Sequence, residues 1–373
     1  MLVASGPGCG SERPPPASDG TFIAPPPTGG GFKDGGKSSK PPGCGQRDDG
    51  GFCDCIDVPL FGEPPNMYFV LDRSGSMADG NKWSQVRVVV AAILRGLGPR
   101  ANFGATLFPG PNVNEQCATP LEVLPVSPGD PPSDDDGPTT KKLLTATSGA
   151  PGGGTNTAQA LRGVLQSLSQ VKGKNFVILA TDGGPNCNPG AGCNAAGCQP
   201  NIEGYQGCPV NGMPNCCAPP VGSPEGCLDA APTTSAVAAL KAAGIPVYVI
   251  GLPGTATYAS LLDELATAGG TAIPGPPKYY RVDGNTEAVL LGTLKKIAAK
   301  IVATCEFKLK EAPVSANQVN VYLDEVVLPH EPVNGWKIDG ATVTLLGTAC
   351  AKVLAGDVLD VRIITGCPTV EPR

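Results

Sequence analysis

The sequence predicts an α/β fold built on a mostly parallel sheet of about six strands, and three observations carry that prediction. Between residues 64 and 303, short apolar runs alternate with segments of helical period. Gly and Pro, 51 and 41 of 373 residues, form about a quarter of the chain but gather in residues 1–62, 109–138 and 185–232, leaving an ordinary composition between. From Cys305 onward the period changes towards alternation, the mark of strands. The predicted organisation is a disordered Pro/Gly-rich tether (1–62), an α/β domain (63–303) carrying a Cys-rich insertion (184–233), and a small β-rich C-terminal module (304–373).

Each element has its own reason. Met67 to Leu71 is a continuous apolar run of strand length, suited to a strand buried on both faces. Ser84 to Leu97 repeats Val86, Val89, Val90, Ile93, Leu94 and Leu97 at helical spacing and closes on Gly98-Pro99. Phe103 to Phe108 and Leu121 to Val126 read as strands, with helices over Thr140 to Ala146 and Thr157 to Leu168. Phe176 to Ala180 is the next buried strand. After the Cys-rich block come helix Thr234 to Ala243, strand Ile245 to Leu252, helix Tyr258 to Ala268, a short strand near Tyr279 to Val282 and helix Thr286 to Ala303. In the tail, Val319 to Leu323, Ala341 to Leu345 and Val358 to Ile364 read as strands, and a disulfide among Cys305, Cys350 and Cys367 is expected to pin them to the last helix.

Composition narrows the function. A single His, His330, leaves no His-based catalytic triad, and there is no GxSxG or HExxH pattern, so the sequence predicts a non-enzyme. His330 itself, between Pro329 and Glu331, reads as an exposed turn residue. A net charge of -6 gives no electrostatic reason to approach nucleic acid. No run of ~18 apolar residues is present to form a transmembrane segment. Fifteen cysteines point to an oxidising, extracytoplasmic setting: secreted, periplasmic or cell-surface. Seven of them lie between Cys187 and Cys227, where disulfides are expected. Zinc is the competing reading, but neither a CxxC pair nor a His is at hand. Seven is odd, so one cysteine should pair outside, with Cys117 the candidate.

Ligands bind open α/β sheets at the carboxyl ends of the strands. The first strand ends in Asp72-Arg73-Ser74-Gly75-Ser76-Met77, a loop Gly152-Gly153-Gly154-Thr155-Asn156-Thr157 precedes a helix, and Phe176 to Ala180 runs into Thr181-Asp182-Gly183. Two carboxylates and three hydroxyls are hard oxygen donors, suited to Mg²⁺ or Mn²⁺. Turn and N-cap preferences explain each residue singly but not their joint placement at strand ends. The run Asp134-Asp135-Asp136 reads as a solvated loop, with calcium contact the lesser alternative.

DRSGSM, GGTNT and TDG, in this order, resemble the von Willebrand factor A domain and its metal-ion-dependent adhesion site, in a secreted bacterial form with a Cys-rich insertion. The resemblance covers about residues 64–303. It implies a doubly wound, Rossmann-like six-stranded sheet with helices on both faces. It also implies a metal site made of Asp72, Ser74, Ser76, Thr155 and Asp182, occupied by Mg²⁺ (or Mn²⁺ or Ca²⁺). Ser74 and Ser76 are implied as direct ligands, Thr155 as a ligand when a partner is engaged, and Asp72 and Asp182 as acting partly through water; Arg73 and Gly75 point away with no assigned role. The implied function is adhesion, a metal-dependent capture of a carboxylate on a protein partner. The competing classes are an accessory subunit or enzyme of a metal-chelatase or ATPase-like assembly, and a structural envelope protein whose metal only stabilises the fold.

At the N-terminus, Cys9 after MLVASGPG makes a candidate for lipid attachment, although Gly6 stands where Leu is usual in such signals. Gly31 to Ser38 fits the pattern of a phosphate-binding loop but lacks the flanking strand and helix, so no nucleotide site is expected.

Overall fold

The computed structural model describes residues 64–370, apart from 113–114, 132, 134, 285–286, 303, 310, 324–325, 356–357, 359–360 and 367. The tether, Cys9, the loop at 31–38, Asp134 and Cys367 lie outside the described residues.

The central sheet contains β1 (Asn66–Asp72), β2 (Asn102–Phe108), β3 (Leu121–Pro128), β4 (Asn175–Thr181), β5 (Val247–Gly251) and β6 (Tyr280–Arg281), in the order β3-β2-β1-β4-β5-β6. Only the β2/β3 pairing is antiparallel. From the central pair β1 and β4, the chain builds outward to β2 and β3 on one side and to β5 and β6 on the other. The carboxyl ends of β1 and β4 therefore flank the point where strand order reverses, which is where open α/β sheets form clefts.

Alternation along β1 shows why both faces are covered. Met67, Phe69 and Leu71 pack on one face with Val86, Val90, Ile93 and Leu94 of α1 (Lys82–Leu97), Leu143 of α2 (Pro138–Ala146) and Leu290, Leu294 and Ile297 of α7 (Glu287–Val302). Tyr68 and Val70 point the other way. They pack with Leu161 and Val164 of α3 (Thr157–Leu168), Val237 and Leu240 of α5 (Ala230–Ala242), and Leu262 and Leu265 of α6 (Ala259–Ala268). The helix predicted over 84–97 begins at Lys82, and Gly98 ends it at φ +49°, a conformation that favours glycine.

The Cys-rich segment joins β4 to α5 and leaves and re-enters the sheet at one place, since Asp229 N–H donates to Pro185 O at 2.7 Å. It contains the short helix α4 (Gln199–Glu203) and three internal disulfides, Cys193–Cys227, Cys198–Cys217 and Cys208–Cys216. Fully buried Asn201 organises it: its Nδ2 donates to the carbonyls of Pro209, Gly212 and Pro214, and its Oδ1 accepts from Cys216 N–H. The outside pairing expected for Cys117 is present as Cys117–Cys187. Disulfides therefore account for the cysteines that had zinc as a competing reading.

The tail forms two antiparallel three-stranded sheets, β10-β11-β7 and β12-β8-β9, from β7 (Glu306–Lys308), β8 (Val319–Leu323), β9 (Val326–Val327), β10 (Trp336–Asp339), β11 (Thr342–Leu345) and β12 (Val361–Thr365). Phe307, Val321, Trp336, Val343 and Ile363 share its core. A helix not expected from the sequence, α8 (Gly347–Ala355), buries Ala349 and Val353, four residues apart, in that core. Cys305–Cys350 ties α8 to the end of α7. His330 is exposed as expected, but its ring stacks on Trp336 at 4.3 Å between centroids. The acidic run engages α1 through Asp136, which takes two hydrogen bonds from the Arg95 guanidinium, at 2.5 and 3.0 Å.

Candidate metal centre

The loop after β1 is aimed by an anchor. Met77, fully buried in the core, lies in a turn of 3₁₀ helix (Gly75–Asn81) and pulls the chain over the sheet edge, so that Ser74 faces inward and Ser76 faces solvent. Asp72, fully buried at the end of β1, accepts Ser74 N–H on Oδ1 at 2.8 Å and the Thr181 hydroxyl on Oδ2 at 2.6 Å. The Ser74 and Ser76 hydroxyls lie 3.2 Å apart, and Ser76 Oγ donates to Asp182 Oδ1 at 2.8 Å. Four of the five predicted residues thus form one hydrogen-bonded chain across the ends of β1 and β4.

Thr155, buried just before α3, completes the group from the side. A side chain starting at Gly183 would begin 3.9 Å from Ser76 Oγ and 4.0 Å from Thr155 Oγ1, so the missing Cβ leaves a gap that both hydroxyls border. Gln199 Nε2, from α4, borders the same gap at 3.8 Å.

Residues outside the predicted set shape the site. Lys82, the first residue of α1 and buried, pairs with Asp182 Oδ2 and donates to Pro253 O at 3.1 Å. Thr181 bonds Asp72. Asn186 and Gln199 bond each other beside Thr155, and Gln199 Nε2 donates to Glu203, which also accepts the Tyr258 hydroxyl at 2.7 Å. Thr181 sits within the TDG segment and was open to assignment from sequence. Lys82 and Gln199 carried no local signal. Arg73 does point away from the site as expected, but it is not idle: its buried guanidinium donates to Ala150 O at 2.6 Å and Gly110 O at 2.8 Å. Its backbone carbonyl takes Gly152 N–H, and Gly75 N–H donates to Gly153 O at 2.9 Å. Together Arg73 and Gly75 hold the glycine loop against the loop after β1.

The electrostatics test whether a divalent cation fits. Among the described residues Asp72 is bonded only by neutral donors, and burial, followed by the facing Asp182 charge, pushes its carboxyl up from 3.8 to about 7. Asp182 is also raised by burial, against the lowering effect of the Lys82 ammonium. Two buried carboxylates share one lysine, and the hydroxyls around them are hard oxygen donors. A divalent ion fits this set by charge and by donor chemistry.

Residues 66–203 match the family model described as the von Willebrand factor type A domain. Among solved structures, the pilus adhesin SpaC of Lactobacillus rhamnosus GG in its open conformation aligns with 81% of this chain and 38% of its own, at 17% identity and a TM-score of 0.48. The vWF domain of a type V pilus tip protein from Porphyromonas gingivalis aligns over 66% of this chain and 96% of its own, at 15% identity and a TM-score of 0.43. The manganese-loaded TRAP protein of Plasmodium vivax aligns over 79% and 98%, at 16% identity and a TM-score of 0.39. The chain spans less than two fifths of the length of the SpaC adhesin in that alignment. No curated protein matches it. Over residues 66–203 the chain matches the von Willebrand factor type A domain, and its mostly parallel six-stranded sheet has that domain's α/β fold.

Proposed function

We propose that this chain is an extracytoplasmic, non-enzymatic binding protein of the adhesive kind, in which a divalent metal site captures an acidic group on a protein partner. Asp72, Ser74, Ser76, Thr155 and Asp182 are the residues assigned to hold Mg²⁺, with Mn²⁺ or Ca²⁺ as substitutes. When bound, the ion supplies a Lewis-acidic coordination position for an outside carboxylate.

The observation that carries this reading is Asp72: a fully buried carboxyl with no cationic partner of its own among the described residues, bonded to the Ser74 N–H and, through the Ser74 and Ser76 hydroxyls, reaching a second buried carboxylate at the reversal point of the sheet. A merely structural Asp at a turn has little reason to be buried facing another. The chain's own residues divide the work. Asp72 and Asp182 supply negative charge, and Thr181 and Lys82 hold those carboxyls in place. Ser76, exposed, stands on the side from which a ligand arrives. The setting outside the cytoplasm is supported by the five disulfides of the described residues.

Calorimetric titration of Mn²⁺ and Mg²⁺ into the wild type and Asp72→Ala tests the metal assignment, and capture of surface and matrix proteins with and without chelator tests its use. The expected result is saturable metal binding lost in Asp72→Ala and capture lost with chelator. Capture indifferent to chelator overturns the adhesive mechanism. Metal binding without any metal-dependent capture reduces the ion to a stabiliser of the fold.

A further inference from the structure

Thr155 is held from two sides by segments that one disulfide joins. On one side, Gly154 N–H donates to Gln116 O at 2.6 Å and Asn156 Nδ2 donates to Ala118 O at 2.8 Å, so the neighbours of Cys117 grip the neighbours of Thr155. On the other side stands Asn186, next to Cys187. Its backbone N–H donates to Thr155 O at 2.8 Å, and its Oδ1 accepts Thr155 N–H at 2.6 Å. Both peptide groups of Thr155 are therefore bonded to Asn186. The loop also rests on the cross-link itself: a Cβ at Gly154 would stand 2.6 Å from Cys187 Sγ and 2.9 Å from Asn186 Oδ1, closer than real contacts allow.

We propose that Cys117–Cys187 is a positioning clamp for Thr155 and thereby sets the metal affinity of the site, an inference that rests on the metal assignment made above. Cys187 has φ +69°, a left-handed conformation uncommon for a residue other than glycine. Such a conformation persists only where its surroundings over-determine it. Here the restraints are the disulfide and the bond from Cys187 N–H to Glu225 O at 2.7 Å. Without the cross-link, Cys187 is free to relax, and Asn186 moves with it. The three remaining disulfides of the insertion join the insertion to itself, and none flanks a residue bonded to Thr155. The clamp is thus the one described covalent link between the rim loop after β2 and the insertion, and it closes around a single proposed ligand.

The test compares Mn²⁺ affinity in four proteins: the wild type, Cys117→Ser/Cys187→Ser, Asn186→Ala with all cysteines kept, and Cys208→Ser/Cys216→Ser as the control for loss of a disulfide internal to the insertion. The first two variants are expected to bind Mn²⁺ about tenfold more weakly or worse, the control within about twofold of the wild type, as for residues that orient a metal ligand rather than touch the metal. In a Thr155→Ala background, removing the clamp should cost nothing further, because the clamp acts through that side chain. Hydrogen exchange at the Thr155 amide, measured without metal, should speed up in the clamp variant. Affinity within about twofold of the wild type in Asn186→Ala or in a folded clamp variant overturns the inference, as does an undiminished loss in the Thr155→Ala background. Faster Thr155 exchange in a protein whose wild type binds no Mn²⁺ would instead identify the metal assignment as the part that failed, and overturn the affinity claim with it.

Discussion

Changing Asp72 to Asn is expected to stabilise the metal-free protein while abolishing its response to metal. The folded-state carboxyl of Asp72 is raised from 3.8 to about 7 by burial and by the facing Asp182. A raised carboxyl favours the folded state while it is protonated, so its contribution is fully present below about pH 4 and is lost as pH rises through about 7. Above that pH the buried charge costs the metal-free fold at most about 4 kcal/mol, at 1.36 kcal/mol for each tenfold shift in the proton equilibrium. Asn keeps an acceptor for Ser74 N–H and a polar neighbour for Thr181 but carries no charge. In urea unfolding followed by far-UV circular dichroism in chelator, Asp72→Asn should be about 2–4 kcal/mol more stable than the wild type at pH 8 and nearly equal to it at pH 4. With Mg²⁺ at about 100 times its dissociation constant, the wild type should gain about 2.7 kcal/mol and the variant nothing. An Asp72→Asn protein less stable than the wild type at pH 8 in chelator, or a difference that does not vary with pH, would refute the electrostatic account.

Two further outcomes follow from the same geometry. Lys82→Met removes the ammonium that pairs with Asp182, leaving two buried carboxylates uncompensated. Metal-free stability should fall by about 3–5 kcal/mol while Mg²⁺ affinity rises, because no resident cation competes, and calorimetry with parallel urea curves checks both signs. Gly104→Ala would set a Cβ 2.4 Å from the Tyr68 ring, whose hydroxyl bonds Thr106 and Glu122. A loss of about 1–3 kcal/mol in urea unfolding is expected, with unchanged metal affinity, since the clash lies on β1 and β2 away from their carboxyl ends.

Legibility followed the range of the forces involved. β1, β2 and β4 were readable because a strand buried on both faces must be apolar throughout, and α1 because its stripe has to face the sheet. Asp72, Ser74, Ser76 and Asp182 stood out as candidates because they sit at strand ends, where a doubly wound sheet opens, and Thr155 because it follows a glycine loop just before a helix. Lys82 did not: its partner is 100 residues away, and a lysine at the start of an apolar helix looks like any solvated charge. Arg73 carried no assigned role for a related reason, since its guanidinium serves carbonyls of two loops distant in sequence. The number and class of sulfur bonds in the insertion could be inferred from composition and parity, and so could the partner for its odd cysteine. The pairing inside the insertion depends on how the chain turns around Asn201, which no local pattern reports. α8 is too short and too small in its side chains to announce itself, and it exists because Ala349 and Val353 fill the tail's core.

The bond between Asp229 N–H and Pro185 O means that the chain departs from the sheet and returns to it at one doorway. What lies between those residues is, in design terms, a cartridge with a few fixed attachments, among them the Cys117–Cys187 bond and the Asn186 contacts with Thr155. Its interior is cross-linked to itself, and its removal would leave β4 and α5 with ends already in contact. A lineage carrying this sheet can therefore revise what it displays at this edge while keeping Asn186 and Cys187, and an engineer can do the same by grafting a foreign segment between Cys187 and that doorway.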